Sequence, residues 1–279
     1  MPDRQPTQLL FSKINRAVER LARKASPENV HGFRTSARRL ETVLRAAAPD
    51  QHRKLLKRLA RWRRRAGTLR DVDVQIKALR SLKIPEEPQR KSQLMSTLLD
   101  LRARRERKLV GTFDKDSQRR LRKRLKKAEE SAQSIQQSSA DLLQKARQMF
   151  VDLAKQQSAM TEESVHEYRL RCKRIRYLAE LSDTPEARAF VSDLVRIQDV
   201  TGDWRDWQIL TATAEAQFRD AGRSPLLTAL RNVTQAKFRE AVRGCSQFRN
   251  EVLGQQTQPA SPRKAASSVK PERAVAANA

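Results

Sequence analysis

The chain of 279 residues is poor in cysteine, glycine and aromatic residues, and each shortage excludes a class of protein. Its two cysteines, Cys172 and Cys245, are too few for a disulfide framework and form no C-x-x-C metal motif. With 38% hydrophobic residues and 7 glycines, the composition does not suit a sheet that is covered on both faces. It favours helices that each bury a narrow apolar stripe.

Long apolar segments are also absent. No apolar run approaches the roughly 18 residues of a membrane span, so no membrane insertion is expected. The start of the sequence, MPDRQPTQLLF, has no basic segment followed by an apolar stretch, and no signal peptide is evident. Together with the low cysteine content, these features predict a protein of the reducing cytoplasm.

Positive charge, in contrast, is abundant, since 59 Lys and Arg residues outnumber 32 Asp and Glu residues for a net charge of +27. Such an excess either contacts a polyanion or is tolerated as self-repulsion, so acidic membranes, nucleic acids and polyphosphates are the partner classes to separate. The charge is uneven: residues 1–82 carry +14, residues 83–160 carry +9, residues 161–254 carry +1 and the segment from residue 255 carries +3.

The most basic run, RKLLKRLARWRRR at residues 53–65, contains eight basic and no acidic residues. Its apolar positions Leu55, Leu59, Trp62 and Ala66 keep helical spacing, which predicts an amphipathic helix and not a disordered basic tail. A solvated basic face explains these residues at least as well as a binding role does, and both interpretations stay open.

Helical periodicity extends over nearly the whole chain, and no segment shows the alternation of a β-strand or an Asn-Gly hairpin signal. The predicted helices are 8–25, 27–47, 51–66, 69–82, 88–113, 117–159, 162–182, 186–200, 203–221 and 224–253. Gly67 and Gly202 are interpreted as helix stops, with Thr68 and Asp203 as the N-caps that follow them. The polar stretch EESAQSIQQSSAD within the longest helix predicts a bend or a break. From residue 255 onward the composition predicts a disordered tail.

The sequence repeats internally at an offset of 135 residues. The segment VHGFRTSARRLE at residues 30–41 aligns with VHEYRLRCKRIR at residues 165–176, and GTLRDVD at 67–73 aligns with GDWRDWQ at 202–208. Two motifs that share one offset indicate a duplicated helical unit with a pseudo-two-fold relationship. This predicts an all-α protein made of two antiparallel helical bundles that pack together.

The same offset sets the predicted domain organisation. Unit one spans about 1–120, a connecting helical segment spans about 121–135, and unit two spans about 136–254. The residues from 255 to 279 form the predicted tail.

Each copy of the first motif predicts a helix with an apolar stripe and, one position along, a basic stripe. The apolar stripes are Val30, Phe33, Ala37, Leu40 and Leu44 in unit one, and Val165, Tyr168, Cys172, Ile175 and Ala179 in unit two. The basic stripes are His31, Arg34, Arg38 and Arg45 in unit one, and His166, Arg169, Lys173 and Arg176 in unit two, with Arg39 and Arg174 beside them. Because the basic stripe recurs in the near-neutral half of the chain, anion binding is favoured over a solvated face.

The second motif adds Arg70-Asp71 in unit one and Arg205-Asp206 in unit two. If the preceding glycine ends a helix, each aspartate lies in the first turn of the next one, where the helix dipole favours an acid by about 0.3–1 kcal/mol. The two arginines either have a structural role or extend the anion-binding surface, and both alternatives stay open. The remaining histidine, His52, has no counterpart in the repeat and is expected at the surface.

This combination of His-x-x-Arg-x-x-x-Arg-Arg followed 36 residues later by Gly-x-x-Arg-Asp, all of it duplicated, resembles the CHAD family of conserved-histidine α-helical domains. The resemblance covers roughly residues 8–250. It implies two pseudo-symmetric helical bundles around a basic central channel that binds inorganic polyphosphate, with attachment to polyphosphate granules as one role that fits. The polyphosphate-binding positions that it implies are His31, Arg34, Arg38, Arg39, Arg70, His166, Arg169, Lys173, Arg174, Arg176 and Arg205.

Three departures from the repeated pattern leave the symmetry of this surface open. Glu41 stands where unit two has Arg176, and Thr42 stands where unit two has Tyr177. Gln208 stands where unit one has Asp73. Some members of the family are fused to a CYTH domain, which handles triphosphates and carries an E-x-E-x-K strand motif. No such motif occurs here, so the chain resembles a stand-alone CHAD protein, which implies a binder and not a phosphohydrolase.

Nucleic acid is the main alternative ligand, since counterion release gives any protein this basic a salt-sensitive affinity for it. The sequence has no helix-turn-helix or finger motif, and its tryptophans Trp62, Trp204 and Trp207 are expected to pack and not to stack on bases. An enzyme is the third alternative, and it is disfavoured because no P-loop, G-x-G-x-x-G, nucleophile elbow or H-E-x-x-H motif occurs. We therefore expect no catalytic residue, metal or cofactor, and only weak binding of nucleic acid.

Overall fold

The protein is all-helical in the computed structural model, over residues 6–47, 50–132, 139–156, 160–182, 184–218 and 224–257, which are the residues that the structure describes. The helices are α1 (Pro6–Arg23), α2 (Pro27–Ala47), α3 (Arg53–Ser81), α4 (Pro88–Val110), α5 (Lys115–Ala132), α6 (Ser139–Lys155), α7 (Glu162–Ala179), α8 (Pro185–Gln217) and α9 (Pro225–Thr257). The predicted all-α fold is confirmed. Within the described ranges, no helix is both long enough and apolar enough to cross a membrane.

The helix ends predicted at Gly67 and Gly202 are wrong, because α3 and α8 run through both glycines without a break. In α3 the core positions Ala66, Leu69 and Val72 are fully buried on either side of the glycine. A glycine inside a helix costs roughly 1 kcal/mol relative to alanine, and the burial of this continuous apolar stripe outweighs that cost. Each pair of short helices predicted around these glycines is therefore one long helix.

The N-caps predicted at Thr68 and Asp203 are wrong for the same reason, and Asp71 and Asp206 do not lie in a first helical turn. The hydroxyl of Thr68 donates instead to the carbonyl oxygen of Arg65 within α3, over 2.9 Å. Helix-dipole stabilisation does not explain the two aspartates, because that effect acts only near the helix end.

Two helices, α5 and α6, stand where one helix was predicted at 117–159. The polar stretch in which a bend or a break was predicted, residues 129–141, includes residues 133–138, which lie outside the described residues. At the other end of the chain, α9 continues to Thr257, past its predicted end at residue 253. The rest of the predicted disordered tail, 258–279, also lies outside the described residues.

Three large clusters of buried apolar side chains hold the helices together. The first joins α1, α2, α5 and the first half of α3 around Phe33, Trp62 and Phe113, whose rings meet edge to face. The second joins α6, α7, the first part of α8 and the end of α9 around Phe150. The third joins the ends of α3 and α8 to the first halves of α4 and α9. The two predicted units therefore share this third cluster, into which α3 and α8 both extend.

The apolar stripe of each motif helix forms part of the core, as predicted. Every member is buried, and the most exposed of them, Tyr168, retains only 6% of its surface. His52, in contrast, was expected at the surface and is buried at 7% exposure, directly before the first turn of α3. His52 lies three residues before Leu55 and four before Leu56, so its burial continues the apolar face of α3. The expectation of a surface position rested on its lack of a counterpart in the repeat.

Candidate anion-binding site

The two basic stripes come together because α2 packs against α7, while the second motifs come together because α3 packs against α8. Five side chains from the two stripes form a central cationic cluster, in which the charge of each acts on its neighbours. They are Arg34 and Arg38 on α2, and Arg169, Lys173 and Arg176 on α7. The cluster therefore brings together positions that lie more than 120 residues apart in the sequence.

Lys173 lies at the centre of this electrostatic network. Burial lowers the pKa of its amine to about 6, and the guanidinium groups of Arg169, Arg38, Arg34 and Arg176 act in the same direction. The amine is therefore mostly neutral near pH 7 in the protein alone. A polyanion that offsets the field of the four arginines would favour its charged form.

Arg34 and Arg169 occupy equivalent places on the two motif helices. Burial lowers the pKa of Arg34 to about 10, and the charge of Asp71 on α3 acts in the opposite direction. Burial likewise lowers the pKa of Arg169, and Asp206 on α8 opposes this shift. Each motif aspartate therefore partly neutralises the arginine of its own unit. Burial raises the pKa of Asp206 itself, while Arg169 and Arg70 act to lower it.

The two motif glycines leave room for these arginines beside the neighbouring helix. A Cβ atom added at Gly67 would lie 3.9 Å from the guanidinium of Arg34, and one added at Gly202 would lie 3.8 Å from that of Arg169. A side chain larger than alanine would take up space that the guanidinium now occupies. The glycine of the Gly-x-x-Arg-Asp motif therefore serves the contact between two helices.

Several buried nitrogens in the site have no hydrogen-bond partner among the residues that the structure describes. They are Nε of Arg34, Nε of Arg169, Nδ1 of His166 and Nε of Arg176, the last of which forms only an ion pair. A buried polar group without a hydrogen bond costs roughly 1–3 kcal/mol. Oxyanions such as phosphate supply acceptors of the kind that such guanidinium donors require.

Two histidines and two further arginines surround the cluster. His31 is exposed and His166 is half-buried. The partial removal of each imidazole from water lowers its pKa, and the next largest cause is the charge of Arg70 at His31 and of Arg205 at His166. Each second-motif arginine therefore lies near the histidine of its own unit, which favours an extended cationic surface over a purely structural role for these arginines.

Arg39 and Arg176 share one carboxylate, that of Glu180. Nε of Arg39 donates to Oε2 of Glu180 over 2.7 Å, and Nε of Arg176 lies 3.3 Å from Oε1. The guanidinium of Arg176 also lies over the ring of Tyr177, 4.8 Å from its centroid, and Arg38 donates to the Tyr177 hydroxyl over 3.3 Å. Sequence reasoning missed Glu180 and Tyr177, although Glu180 follows Arg176 by four residues, a spacing at which ion pairs form on a helix.

The departure from the repeat at Glu41 has a local explanation. Glu41 is buried and accepts two hydrogen bonds from Arg63 of α3, at 3.0 and 3.1 Å. The position equivalent to Arg63 in unit two is the neutral Gln198. The acid of unit one is therefore paired with an arginine that unit two lacks, and the two halves of the site carry different charges.

Arg174 and the second acid of the motif lie apart from the cluster. Arg174 is exposed and takes part in none of the contacts described for the cluster. Asp73 is buried and accepts a hydrogen bond over 2.8 Å from Arg102, whose guanidinium also donates to Glu106. This acid joins α3 to α4, so its replacement by Gln208 in unit two concerns helix packing.

Other chemistry-bearing residues do not converge on the site. The described residues contain no group of three or more His, Cys, Asp or Glu side chains that could hold a metal ion. Cys172 and Cys245 are thiols buried in the second apolar cluster, and burial raises the pKa of each.

Comparisons with known proteins found one matching family and similar solved structures. The sequence pattern of the CHAD domain matches residues 7–215. The fold is similar to the crystal structure of the CHAD domain from the plant Ricinus communis, with a TM-score of 0.67 and 17% sequence identity over 89% of each chain. It is also similar to PptA from Streptomyces chartreusis, with a TM-score of 0.64 and 14% identity over 90% of this chain and 97% of that one. No curated protein matches the sequence.

Proposed function

This chain belongs to the CHAD domain family, and from that premise we propose that it binds inorganic polyphosphate at the central cationic cluster. Polyphosphate is a flexible polyanion without bases. Its oxygens accept paired hydrogen bonds from arginines, and lysines bind them as point charges. The proposed site comprises the cluster and the predicted positions around it: His31, Arg34, Arg38, Arg39, Arg70, His166, Arg169, Lys173, Arg176 and Arg205. Arg174, which is exposed and lies apart from the cluster, is proposed as an outlying contact of the same ligand.

The burial of like charges is the observation that carries this proposal. A solvated basic face keeps its charges in water, whereas burial dominates the pKa shifts of Arg34, Arg169 and Lys173. Such a cluster destabilises the protein alone, because desolvation and repulsion add to each other. A polyanion bound between α2 and α7 offsets both costs.

The proposed site lies in a basic central channel between two duplicated units, with the unit boundaries that the repeat predicts. The pairing of α2 with α7 and of α3 with α8 supports this arrangement, since each pair consists of equivalent helices. The equivalent contacts of Gly67 with Arg34 and of Gly202 with Arg169 support it as well.

Nucleic acid is a poorer fit to the cluster, because among the described residues its aromatic ring, that of Tyr177, is buried and covered by Arg176 and offers no platform on which bases could stack. Trp62 and Trp204 are buried and Trp207 packs against the third apolar cluster, which confirms that the tryptophans pack. Binding without catalysis is the second part of the proposal. The carboxylates beside the cluster, Asp71, Asp206 and Glu180, each act on an arginine. The charge of Asp71 also acts on Asp206, but Arg169 and Arg70 act on that carboxyl group more strongly, so ion pairing is the simpler role for these acids.

A competition titration tests the proposed ligand. Labelled long-chain polyphosphate is bound to the protein at about physiological salt and challenged with duplex DNA, and then with unlabelled polyphosphate. We expect DNA to displace the label only at a large excess of phosphate equivalents. Equal competition per phosphate would mean that the protein responds to charge alone, which would contradict the proposal.

A double variant tests the proposed residues. His31→Ala with Arg34→Ala removes one histidine and the arginine that packs on Gly67, and we expect the affinity to fall at least tenfold while the fold is retained. This magnitude follows from hydrogen bonds to charged groups, which contribute about 1.5–3 kcal/mol each. Arg196→Ala is the matched control. Arg196 is highly exposed on α8, and its substitution also removes one positive charge. Equal losses in both variants would contradict the assignment of the site.

The proposed place of action is the cytoplasm, on polyphosphate granules. A fluorescently tagged chain is expected to co-localise with stained granules, and the His31→Ala, Arg34→Ala variant to become diffuse. If this variant remained on the granules, localisation would not depend on binding at the cluster, which would contradict this part of the proposal.

A further inference from the structure

A second cationic surface lies on the outside of unit one, where α3 packs against α5. On α3, Lys54, Arg58, Arg61 and Arg65 follow one another at spacings of four, three and four, which places them along one face of the helix. On α5, Arg120 and Arg124 lie one turn apart, and their charges act on Arg58. These six residues are named here the outer basic face.

The outer basic face and the central cluster lie on opposite sides of α3. At roughly 100° per residue, Arg58 and Arg61 are about half a turn away from the face that carries Arg63, Gly67 and Arg70. Gly67 contacts Arg34 of the cluster, while the outer side chains are mostly exposed. A segment of ligand that is bound in the central cluster therefore does not contact the outer basic face at the same time.

The outer basic face has almost no counter-charge. No acid occurs between residues 53 and 70 on α3 or between residues 117 and 128 on α5. The acid whose charge acts on Arg58 is Asp114, and its carboxylate accepts hydrogen bonds from the backbone and hydroxyl of Ser117, at 2.6 and 3.0 Å. None of the six residues forms an ion pair within the described part of the chain. Like charges at these spacings destabilise a helix, which a polyanion on the face would relieve.

The chemistry of the face selects phosphates and not bases. The ring of Trp62 is buried beneath Arg58, whose guanidinium lies 5.8 Å from the ring centroid. A surface that presents guanidinium and ammonium groups without an exposed ring has no platform for base stacking. Polyphosphate is the polyanion that consists of phosphates alone.

We propose that the outer basic face is a second polyphosphate-binding site, so that one protein molecule cross-links two polyphosphate segments. The inference rests on the proposed function of the central cluster. Two sites that face in opposite directions bind long chains with avidity and connect neighbouring chains, whereas short chains reach only one site at a time. A bivalent binder of this kind condenses long polyphosphate into larger particles.

The test uses the full chain with four neutralising substitutions, Lys54→Gln, Arg58→Gln, Arg61→Gln and Arg65→Gln. The matched control removes four exposed charges in unit two by Arg196→Gln, Arg231→Gln, Arg239→Gln and Arg243→Gln. Tripolyphosphate is too short to reach both sites, so its tightest binding step reports the central cluster, and light scattering with long-chain polyphosphate reports cross-linking. We expect the outer variant to keep this tightest tripolyphosphate-binding step and to lose the scattering signal. Its affinity for long chains is expected to fall roughly tenfold or more, as avidity is lost.

Each of the remaining outcomes contradicts either the inference about the outer basic face or the proposed function of the central cluster. If the outer variant and the control condense long chains equally, the outer basic face is a solvated surface and the inference is wrong. If the outer variant loses affinity for a DNA duplex and still condenses polyphosphate, the face binds nucleic acid and the inference is wrong. If the unaltered protein binds neither phosphate ligand, the proposed function itself fails.

A second variant on another helix covers the case in which the fourfold variant does not fold. Arg120→Gln with Arg124→Gln changes only α5 and replaces arginine by another good helix former. Circular dichroism and the thermal midpoint check the fold of both variants. The α5 variant is expected to weaken the scattering signal in part, and an unchanged signal would contradict the inference.

Discussion

Among single side chains, Lys173 is expected to link ligand binding to proton uptake. Its pKa is lowered to about 6 by burial and by four arginines, whereas a lysine in an unfolded chain titrates near 10.4. If polyphosphate binds as proposed, it raises the pKa of this amine, and we expect binding near pH 8 to take up as much as one proton. Calorimetry in two buffers of different ionisation enthalpy measures the number of protons taken up on binding.

The affinity attributable to Lys173 is expected to fall as the pH rises above about 6, because the proton must then be taken from solution. Lys173→Arg keeps a permanent charge and is expected to abolish the uptake and to flatten the pH dependence. Unchanged proton uptake in that variant would assign it to another group. His31 and His166 add charge only at still more acidic pH than an ordinary histidine, because burial lowers the pKa of both.

The lowered pKa of Lys173 also makes the stability of the protein without ligand depend on pH. Between about pH 6 and pH 10 the unfolded chain holds the proton that folded Lys173 has lost, so the free energy of unfolding rises with pH across this window. Lys173→Met removes the titrating group and is expected to reduce the slope. Urea denaturation at several pH values measures it, and an equal slope in both proteins would contradict the buried position of the amine.

Glu180 is expected to act as an internal competitor of the ligand, since its carboxylate pairs with both Arg39 and Arg176. Glu180→Gln removes the competing charge, and we expect the affinity for polyphosphate to rise about three- to tenfold, equivalent to roughly 0.7–1.4 kcal/mol. Glu167→Gln is the control, because it breaks an exposed ion pair with Arg171 on the same helix. A loss of affinity in Glu180→Gln would show that the carboxylate positions the two arginines.

Among the helices, α3 and α8 show how a single glycine can serve the contact between two elements. Gly67 lies inside α3, and an added methyl group would meet Arg34 at 3.9 Å, an ordinary contact distance. We expect Gly67→Ala to stabilise the free protein by about 0.5–1 kcal/mol, because alanine loses less backbone entropy in a helix. Gly67→Leu is expected to displace the guanidinium and to weaken polyphosphate binding.

Thermal denaturation and a polyphosphate titration of the two glycine variants separate these effects. If alanine destabilises the protein, the glycine has a role in α3 beyond making room for Arg34. If leucine leaves the affinity unchanged, Arg34 does not require its place beside this glycine.

Helices α3 and α8 also show which features short sequence patterns predict and which they do not. Each apolar stripe was predicted, because burial repeats at the helical period and the periodicity is visible in a short window. The breaks at Gly67 and Gly202 were wrong, because the propensity of one glycine is small beside the burial of a stripe that continues on both sides. The burial of His52 was missed because the prediction relied on the repeat, in which this residue has no counterpart, and not on its spacing of three residues from Leu55.

Over the entire chain, the net charge of +27 predicts that a polyanion stabilises the folded state. A ligand at 100 times its dissociation constant adds about 2.7 kcal/mol to the free energy of unfolding. We expect the thermal midpoint to rise with polyphosphate concentration and to rise less with sodium chloride, which only screens the repulsion. The His31→Ala, Arg34→Ala variant is expected to lose most of the polyphosphate effect and to keep the salt effect. Equal responses to both additives would indicate screening alone.

The sequence by itself determined the helical fold class, the two basic stripes and their repetition at one offset. These properties arise from local periodicity and from the order of residues along the chain, so they are readable without any knowledge of how the helices pack. The resemblance to the CHAD family rests on the same motifs, and the match over residues 7–215 agrees with it.

Only the tertiary structure decided which charges meet. The packing of α2 against α7 surrounds Lys173 with four arginines, and the same packing gives Arg39 and Arg176 a common partner in Glu180. Charge interactions depend on distance and on burial, and both are set by contacts between residues that are remote in the sequence. A stripe of basic residues therefore specifies where charge can lie on a helix, and the packing of the helices determines how that charge behaves.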